Sequence, residues 1–366
     1  MDIGQRLKIA REAIGYTQTK AAQESEIGES SISEFENNAR EPKFSQLSRL
    51  ADVYKKTIEF FLTDEPLIEN IMLWRERPGT EEERKRTEAE FEQLCEQYRT
   101  LEILMGEVKK PKLPVVSVTK PEKFDYLQAE LFAKKVQELF RLGDIPIASL
   151  KQILEETYYV KIFYLNFSGS AISIVSEKFG PAILLNGRKK QWRRSYDLTH
   201  ELFHLLTWNV FRTESKVENE YEDKLANAFA SRFLMPEESI KDRVKTSVND
   251  QGQISLDQLD DIAREYDVSL EALIYRIAGI YKFRKEETAR HIDVAKKYLE
   301  FLKPRDSYKP NKLPERYCDL AQRALREGKL SLMQFAKYMG ISYKKAQEYL
   351  TEDEDFTDET ILISVV

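Results

Sequence analysis

Two histidines four residues apart, His200 and His204, occupy the stretch YDLTHELFHLLTWN, with Glu201 directly after the first. On an α-helix a spacing of four puts both imidazoles on one face about one turn apart, so both can reach a single Zn2+. A glutamate in that slot lies beside the metal, where it can take a proton from the attacking water and hand it to a leaving amine. The chemistry implied is zinc-assisted peptide hydrolysis, with His200 and His204 as ligands and Glu201 as catalytic base. The third histidine, His291, stands alone in ETARHIDVAKK and reads as a helix residue without a metal role.

Catalytic zinc needs a third protein ligand and an open fourth position. The stretch VENEYEDKLANAFASRFLMP predicts a second buried helix, with Leu225, Ala226, Phe229, Ala230 and Phe233 on its apolar face. The small Ala226 and Ala230 permit close approach to the histidine helix, whose own apolar shell is Leu198, Leu202, Leu205 and Leu206. Glu222 and Asp223 both fall near that face, four and three residues before Ala226, and both are candidate ligands.

The rest of the chain must position these helices. At 366 residues it is long enough for two or three cores. No apolar run approaches the ~18–20 residues of a membrane span, and the opening MDIGQRLKIAREA lacks the apolar core of a signal peptide, so a cytoplasmic protein without membrane association is expected. The two cysteines, Cys95 and Cys318, lie in separate segments and form no disulfide framework. A net charge of −6 means that any nucleic-acid binding comes from a local patch. The expected fold class is α+β, mainly α, in four parts: a helical domain over 1–66, a helical linker over 67–112, an α+β domain with a small sheet over 113–285, and a helical region over 286–366. In the linker, Phe91, Leu94, Tyr98, Leu101, Met105 and Val108 alternate three and four apart. Such a seam suits either one amphipathic helix packed on its own domain or a coiled coil that makes a homodimer.

At the N-terminus, Ile3, Leu7, Ala10 and Ile14 space one helix face, and Thr17 is placed to cap a second helix beginning at Gln18. ESSISEFENN predicts a third helix burying Ile32 and Phe35, and Pro42 starts a fourth. A tight turn between two short helices, the second opening with small polar residues, suits a major groove. On IGQRLKIAREAIGYTQ, SSISEFENN and REP, residues 3–62 resemble the XRE family of helix-turn-helix regulators. The resemblance implies that Gln18, Ser30, Ser31 and Ser33 face bases or phosphates of a double-stranded operator, with Asn38 and Arg40 near the backbone. Residues 2–66 nevertheless hold nine Lys/Arg against twelve Asp/Glu, with Glu29 and Glu34 on or beside the third helix, so affinity is expected to be modest unless the protein dimerises.

HELFH, an acidic residue three before Ala226, AN.FA and FLMP together resemble the ImmA/IrrE family of zinc metallopeptidases over about 135–282. That resemblance implies a zincin-like fold. It implies zinc on His200, His204 and an acid at the family's glutamate position, which is Asp223 here, with Glu222 as the alternate. Asp is one methylene shorter than the family's Glu. The family's small residue within the motif is Phe203 here, a bulk expected to narrow the cleft.

Together the two resemblances imply a DNA-binding transcription regulator whose metallopeptidase domain cleaves a partner regulator, an antitoxin-like protein encoded nearby, or its own charge-rich 67–112 segment, relieving repression in a stress, mobile-element or phage response. The alternative is a non-proteolytic regulator or defence component in which the zinc domain senses or binds a partner. LPERYCDLAQRALREGKLSLMQFAKYMGISYKKAQEYL predicts further helices, read mainly as packing or a docking tail. The acidic run and the final ILISVV suggest a solvated face and a terminal strand.

Overall fold

The computed structural model describes residues 2–64, 70–110, 112–114, 116, 121, 124–212, 220–301 and 308–351. The acidic run and the terminal ILISVV lie outside them. Five helices open the chain: α1 (Ile3–Ala13), α2 (Gln18–Ser25), α3 (Glu29–Glu36), α4 (Phe44–Val53) and α5 (Ile58–Leu62). Thr17 caps α2 as expected, its side chain accepting from Lys20 N–H. The fourth helix starts at Phe44 behind Lys43, two residues later than Pro42 suggested. Leu7, Ala10, Ile14, Ile32, Phe35, Leu47, Leu50 and Phe61 close one small core. Gly4 lets α1 approach that core, because a Cβ there would meet the Phe35 carbonyl at 2.4 Å.

Residues 72–104 pack on both neighbouring cores. The first of them form strand β1 (Met72–Arg75), and the long helix α6 (Glu81–Leu104) is capped by Thr80. Phe91, Leu94, Tyr98 and Leu101 are buried as their spacing predicts, with Met105 partly buried beside them. Val108 stays exposed. The partner of this seam lies within the chain, which corrects the coiled-coil alternative: one face of the sheet and a C-terminal helix cover it. Ala89, nearer the start of α6, joins the N-terminal core instead, so one helix spans both units.

Next come α7 (Tyr126–Phe140), α8 (Ile147–Glu156), β2 (Lys161–Leu165), β3 (Ala171–Ser176) and β4 (Gly180–Asn186). The sheet order is β1-β3-β4-β2; β1 and β4 run antiparallel to β3, and β2 runs parallel to β4. Side chains alternate between the two faces of a strand. In β4, Ile183 and Leu185 face one core while Ala182 and Leu184 face another. Both faces are therefore covered by helices, and the strands are apolar almost throughout, unlike a sheet with one wet face. On the outer side of β2, the Lys312 carbonyl accepts from Tyr164 N–H.

Helix α9 (Gln191–Phe211) lies across the first face with α10 (Glu220–Leu234) beside it. Helices α11 (Glu237–Ser247), α12 (Leu256–Glu265) and α13 (Leu270–Tyr281) build an adjoining core, continued by α14 (Lys285–Phe301). Helices α15 (Glu315–Arg326), α16 (Leu332–Met339) and α17 (Tyr343–Thr351) return to the second face. There the Tyr317 hydroxyl bridges Gln97 Oε1 and the Tyr338 carbonyl, each at 3.1 Å. The C-terminal helices are thus a layer of the sheet domain, in line with the packing role expected of them. Among the described residues no helix is long and apolar enough to cross a membrane.

One carboxyl on α8, 13% exposed, makes stability depend on pH. Burial pushes the Glu155 carboxyl up to about 7, only partly offset by Lys151 at 3.8 Å and reinforced by Glu315. A raised acid pKa favours the protonated folded state. That contribution is complete below the unfolded value of about 4.3 and is lost as pH rises through about 7. Glu155→Gln should therefore leave stability at pH 4.5 nearly unchanged and raise it at pH 8 by up to about 3 kcal/mol. Urea unfolding at the two pH values checks this; an equal shift at both would remove burial as the cause.

Candidate metal centre and nucleic-acid interface

Helix α9 carries both motif histidines on its buried side. His200 and Glu201 are fully buried and His204 is 1% exposed. Leu198, Leu202, Leu205 and Leu206 seat the helix on the core, as expected. Phe203 does not narrow the cleft. Its ring packs in the core with Phe124 at 5.8 Å, Phe229 at 5.6 Å and Phe211 at 6.3 Å, so its bulk is absorbed behind the histidines.

The two Nε2 atoms of His200 and His204 stand 3.2 Å apart. Their other ring nitrogens decide what that approach means. His204 Nδ1 lies 3.0 Å from Glu222 Oε1, and His200 Nδ1 lies 3.2 Å from the Asn227 amide oxygen. The orientation of that amide is fixed independently: its NH2 donates to Asp223 Oδ2 at 3.0 Å, while Arg75 Nη2 donates to its oxygen at 3.2 Å. Turning it over would set NH2 against a guanidinium and oxygen against a carboxylate. Both imidazoles therefore face acceptors through Nδ1, which favours a proton there and turns Nε2 of each ring toward the other. The two Nε2 atoms converge on one point at 3.2 Å. They match the edge of a tetrahedron around Zn2+, about 3.3 Å for Zn–N bonds of about 2.0 Å.

The two candidate acids occupy different places. Asp223 Oδ1 is 3.6 Å from His200 Nε2, and its side chain is 44% exposed at the mouth of the site. Glu222 is 1% exposed, sits on the Nδ1 side of His204 and pairs with the buried Arg212. Among the described residues no three His, Cys, Asp or Glu side chains form a complete metal-binding group. The donor set fits zinc in kind, two imidazoles with a carboxylate on the rim, and Glu222 lies off the Nε2 side as the side chains stand. Beside it lies a cleft of about 310 Å3 lined by Trp192, Tyr196, Asn227 and Tyr275 among others. His291 is exposed, stacks edge-on against Phe283 at 5.7 Å and has no place at this centre.

Sequence reasoning passed over Asn227 and Arg75. Asn227 lay within the quoted AN.FA, but Arg75 comes from β1, 152 residues away. Arg75 is held by Asp197 at 3.2 Å and stacks on the Tyr196 ring at 5.0 Å. Asp197 also accepts from the Ser170 hydroxyl at 2.6 Å, and burial raises its carboxyl above the usual aspartate value.

In the N-terminal unit, α2 and α3 form the helix pair, joined through Ile27 and Gly28. Ser30 is exposed at the start of α3, and Ser31 and Ser33 are half-buried. Gln18 donates to Glu36 Oε2 at 2.9 Å, and Glu36 in turn holds the buried Arg11 at 2.6 Å. That ties α1, α2 and α3 together. Asn38 adopts a left-handed φ of 56° and its side chain accepts from Gly4 N–H at 3.1 Å, giving it a structural duty. The Arg40 guanidinium lies over the Phe35 ring at 5.0 Å and is paired with Glu34 at 3.2 Å.

Comparison with known proteins agrees with both halves. Residues 155–278 match a peptidase-family model described as the IrrE N-terminal-like domain, and residues 7–61 match a helix-turn-helix model. The chain is also similar to the HTH-type transcriptional regulator ImmR of Bacillus subtilis (strain 168), 37% identical over 62 residues. That alignment takes in 17% of this chain and 49% of the relative, so the chain spans about half the length of the curated relative it matches. The chain therefore joins a helix-turn-helix domain of the XRE type to an IrrE N-terminal-like domain.

Proposed function

We propose that this protein is a cytoplasmic DNA-binding regulator whose IrrE-like domain is a zinc metallopeptidase, cleaving a partner regulator or antitoxin-like protein to relieve repression. The observation that carries this reading is the 3.2 Å convergence of His200 and His204 Nε2 while both Nδ1 atoms face acceptors. His200, His204 and Asp223 are the proposed ligands; Glu222 instead holds the His204 ring. Bound zinc would supply Lewis-acid polarisation of a peptide carbonyl and an acidified water. Glu201, adjacent in sequence and buried beside the histidines, takes the proton from the attacking water and returns it to the leaving amine. The substrate's backbone runs along the cleft beside Asn227, between Trp192, Tyr196 and Tyr275. A protein in trans is favoured over the chain's own 67–112 segment, because much of that segment is folded into β1 and the core helix α6.

On the DNA side, α3 enters the major groove, with Ser30, Ser31 and Ser33 toward base edges or phosphates and Gln18 from α2 beside them. Asn38 and Arg40 flank the backbone contact. A homodimer on a two-fold operator compensates for the acidic balance of the domain.

The test uses the full-length zinc-loaded chain and the regulator or antitoxin-like protein encoded beside it. Wild type should cleave that protein. Glu201→Gln should slow cleavage by roughly 10^2–10^4 with zinc content unchanged. Equal processing by the two, or none by wild type, sinks the peptidase reading and leaves the metal domain as a sensor or partner-binding module.

A further inference from the structure

We infer that Asn227 is a positioning residue that braces two of the proposed zinc ligands at once and is itself locked by Arg75 from β1. The inference rests on the metal-centre reading above and adds what prepares that centre for metal. A histidine ligand binds through Nε2 only when the proton stays on Nδ1, and the partner of Nδ1 sets that tautomer. For His200 that partner is the Asn227 oxygen at 3.2 Å. A carboxylate ligand on a surface rim loses rotamer freedom when it binds metal, and a donor that already holds it reduces that loss. For Asp223, 44% exposed, that donor is the Asn227 NH2 at 3.0 Å, on Oδ2, while Oδ1 faces His200 Nε2.

An amide can do both only in one orientation. Arg75 enforces it by donating Nη2 to the oxygen at 3.2 Å, and its own position is fixed by Asp197 and by the Tyr196 ring. The Tyr196 hydroxyl completes the brace by donating to the Asn227 backbone carbonyl at 3.0 Å. Arg75 lies well upstream of the matched residues 155–278. The strand that follows the DNA-binding unit is therefore part of the metal centre's support, and a peptidase fragment cut after it would lose that support.

The test compares full-length wild type, Asn227→Ala, Asn227→Asp and Ser170→Ala. Ser170 touches the same Asp197 but not Asn227, so its variant reports general loosening of the cluster. Two readouts are taken: the zinc dissociation constant from chelator competition, and the ring-nitrogen chemical shifts of 15N-histidine in the metal-free protein. With three histidines in the chain the signals are assignable by substitution. Asn227→Ala should weaken zinc binding by roughly 10–100-fold and move His200 away from the pure Nδ1–H form. Asn227→Asp still accepts from His200 and should keep that form, while placing a second carboxylate against Asp223. Ser170→Ala should change neither readout. Zinc binding by Asn227→Ala within twofold of wild type with an unmoved tautomer overturns the inference, as does an equal loss in Ser170→Ala. Should Asn227→Ala fail to fold, Asn227→Asp decides: loss of the Nδ1–H form there overturns the bracing of His200. If wild type itself holds no zinc, the metal-centre reading falls, and the nitrogen shifts still decide whether Asn227 fixes the imidazole.

Discussion

Removing two neighbouring carboxylates one at a time should give two different proteins. Asp223→Ala should lose zinc affinity by roughly 100-fold or more, about one ligand's share of a structural zinc site's binding energy, while the metal-free fold is little changed. Glu222→Ala should lower metal-free stability by about 3 kcal/mol and weaken zinc by roughly 10–100-fold. The reason is where each acid stands. Asp223 is on the rim, 44% exposed, with Oδ1 on the Nε2 side of His200, so the folded protein gains little from it until metal arrives. Glu222 is 1% exposed, accepts from His204 Nδ1 and carries the negative charge opposite Arg212, itself 4% exposed. Deleting it takes a carboxylate away from a buried guanidinium and releases the ring that His204 must present. Urea unfolding of the metal-free variants and chelator competition for zinc separate the effects. If Glu222→Ala abolished zinc binding and Asp223→Ala left it intact, the two assignments would have to be exchanged.

What the sequence revealed about this site follows the range of the interactions. The motif histidines, Glu201 and the acidic start of the next helix are local patterns, read from helical spacing and apolar flanks. Asn227 stands out in no local pattern, because an asparagine gains meaning only from what meets its two ends, and Arg75 meets one of them from 152 residues away. Phe203 was misjudged for a related reason. Helical spacing shows that a residue lies near the histidine face, but not that Phe124, Phe211 and Phe229 wait on its own side to enclose it.

The same limit shaped the fold. The spacing of Phe91, Leu94, Tyr98 and Leu101 identified a buried face but not its partner, and a sheet supplied by residues 72–186 competes with a second copy of the helix. Strand β1 has four residues, too short for alternation to announce it, and its place at the end of the sheet follows from pairing with β3. Helix α6 thus gives Ala89 to the N-terminal core and Phe91, Leu94, Tyr98 and Leu101 to the sheet core, across the positions 66/67 and 112/113 where charge and Pro content change. In the N-terminal unit, Thr17 as a cap and Ile32 and Phe35 as core were legible because caps and helix periods act over a few residues. Helical spacing does not show the structural duty of Asn38, whose left-handed backbone and bond to Gly4 tie α3 to α1.

How much the ion pairs of α6 contribute to the sheet domain can be measured at Glu102. This carboxylate, 2% exposed, holds Lys161 of β2 at 3.2 Å and Arg316 of α15 at 2.9 Å, so one side chain of α6 clamps two elements from later in the chain. Lys161 is 4% exposed, and burial already draws its ammonium below the ordinary lysine pKa; Glu102 opposes that shift, and the Tyr98 ring lies 4.9 Å from Nζ. Glu102→Gln should cost roughly 3–5 kcal/mol at pH 7, the usual result of stranding a buried charge. The sign of the pH dependence follows from Lys161. A lowered folded pKa means that the unfolded chain binds more protons as pH approaches 10, so stability rises with pH there and part of the loss is regained. Replacing the two most buried partners, Glu102→Leu with Lys161→Met, removes that pair together and should recover most of the stability, while Arg316, 20% exposed, keeps Glu107 at 3.5 Å. The double variant is the decisive measurement, because α6 can be a necessary layer of this domain without its ion pair being a net source of stability. Denaturant unfolding that showed Glu102→Gln within 0.5 kcal/mol of wild type, the ordinary range for a surface substitution, would mean that α6 is held by its buried apolar face and not by this cluster. With a large loss and recovery in the double variant, the histidine helix α9 rests on a sheet that the N-terminal third of the chain helps to hold in place.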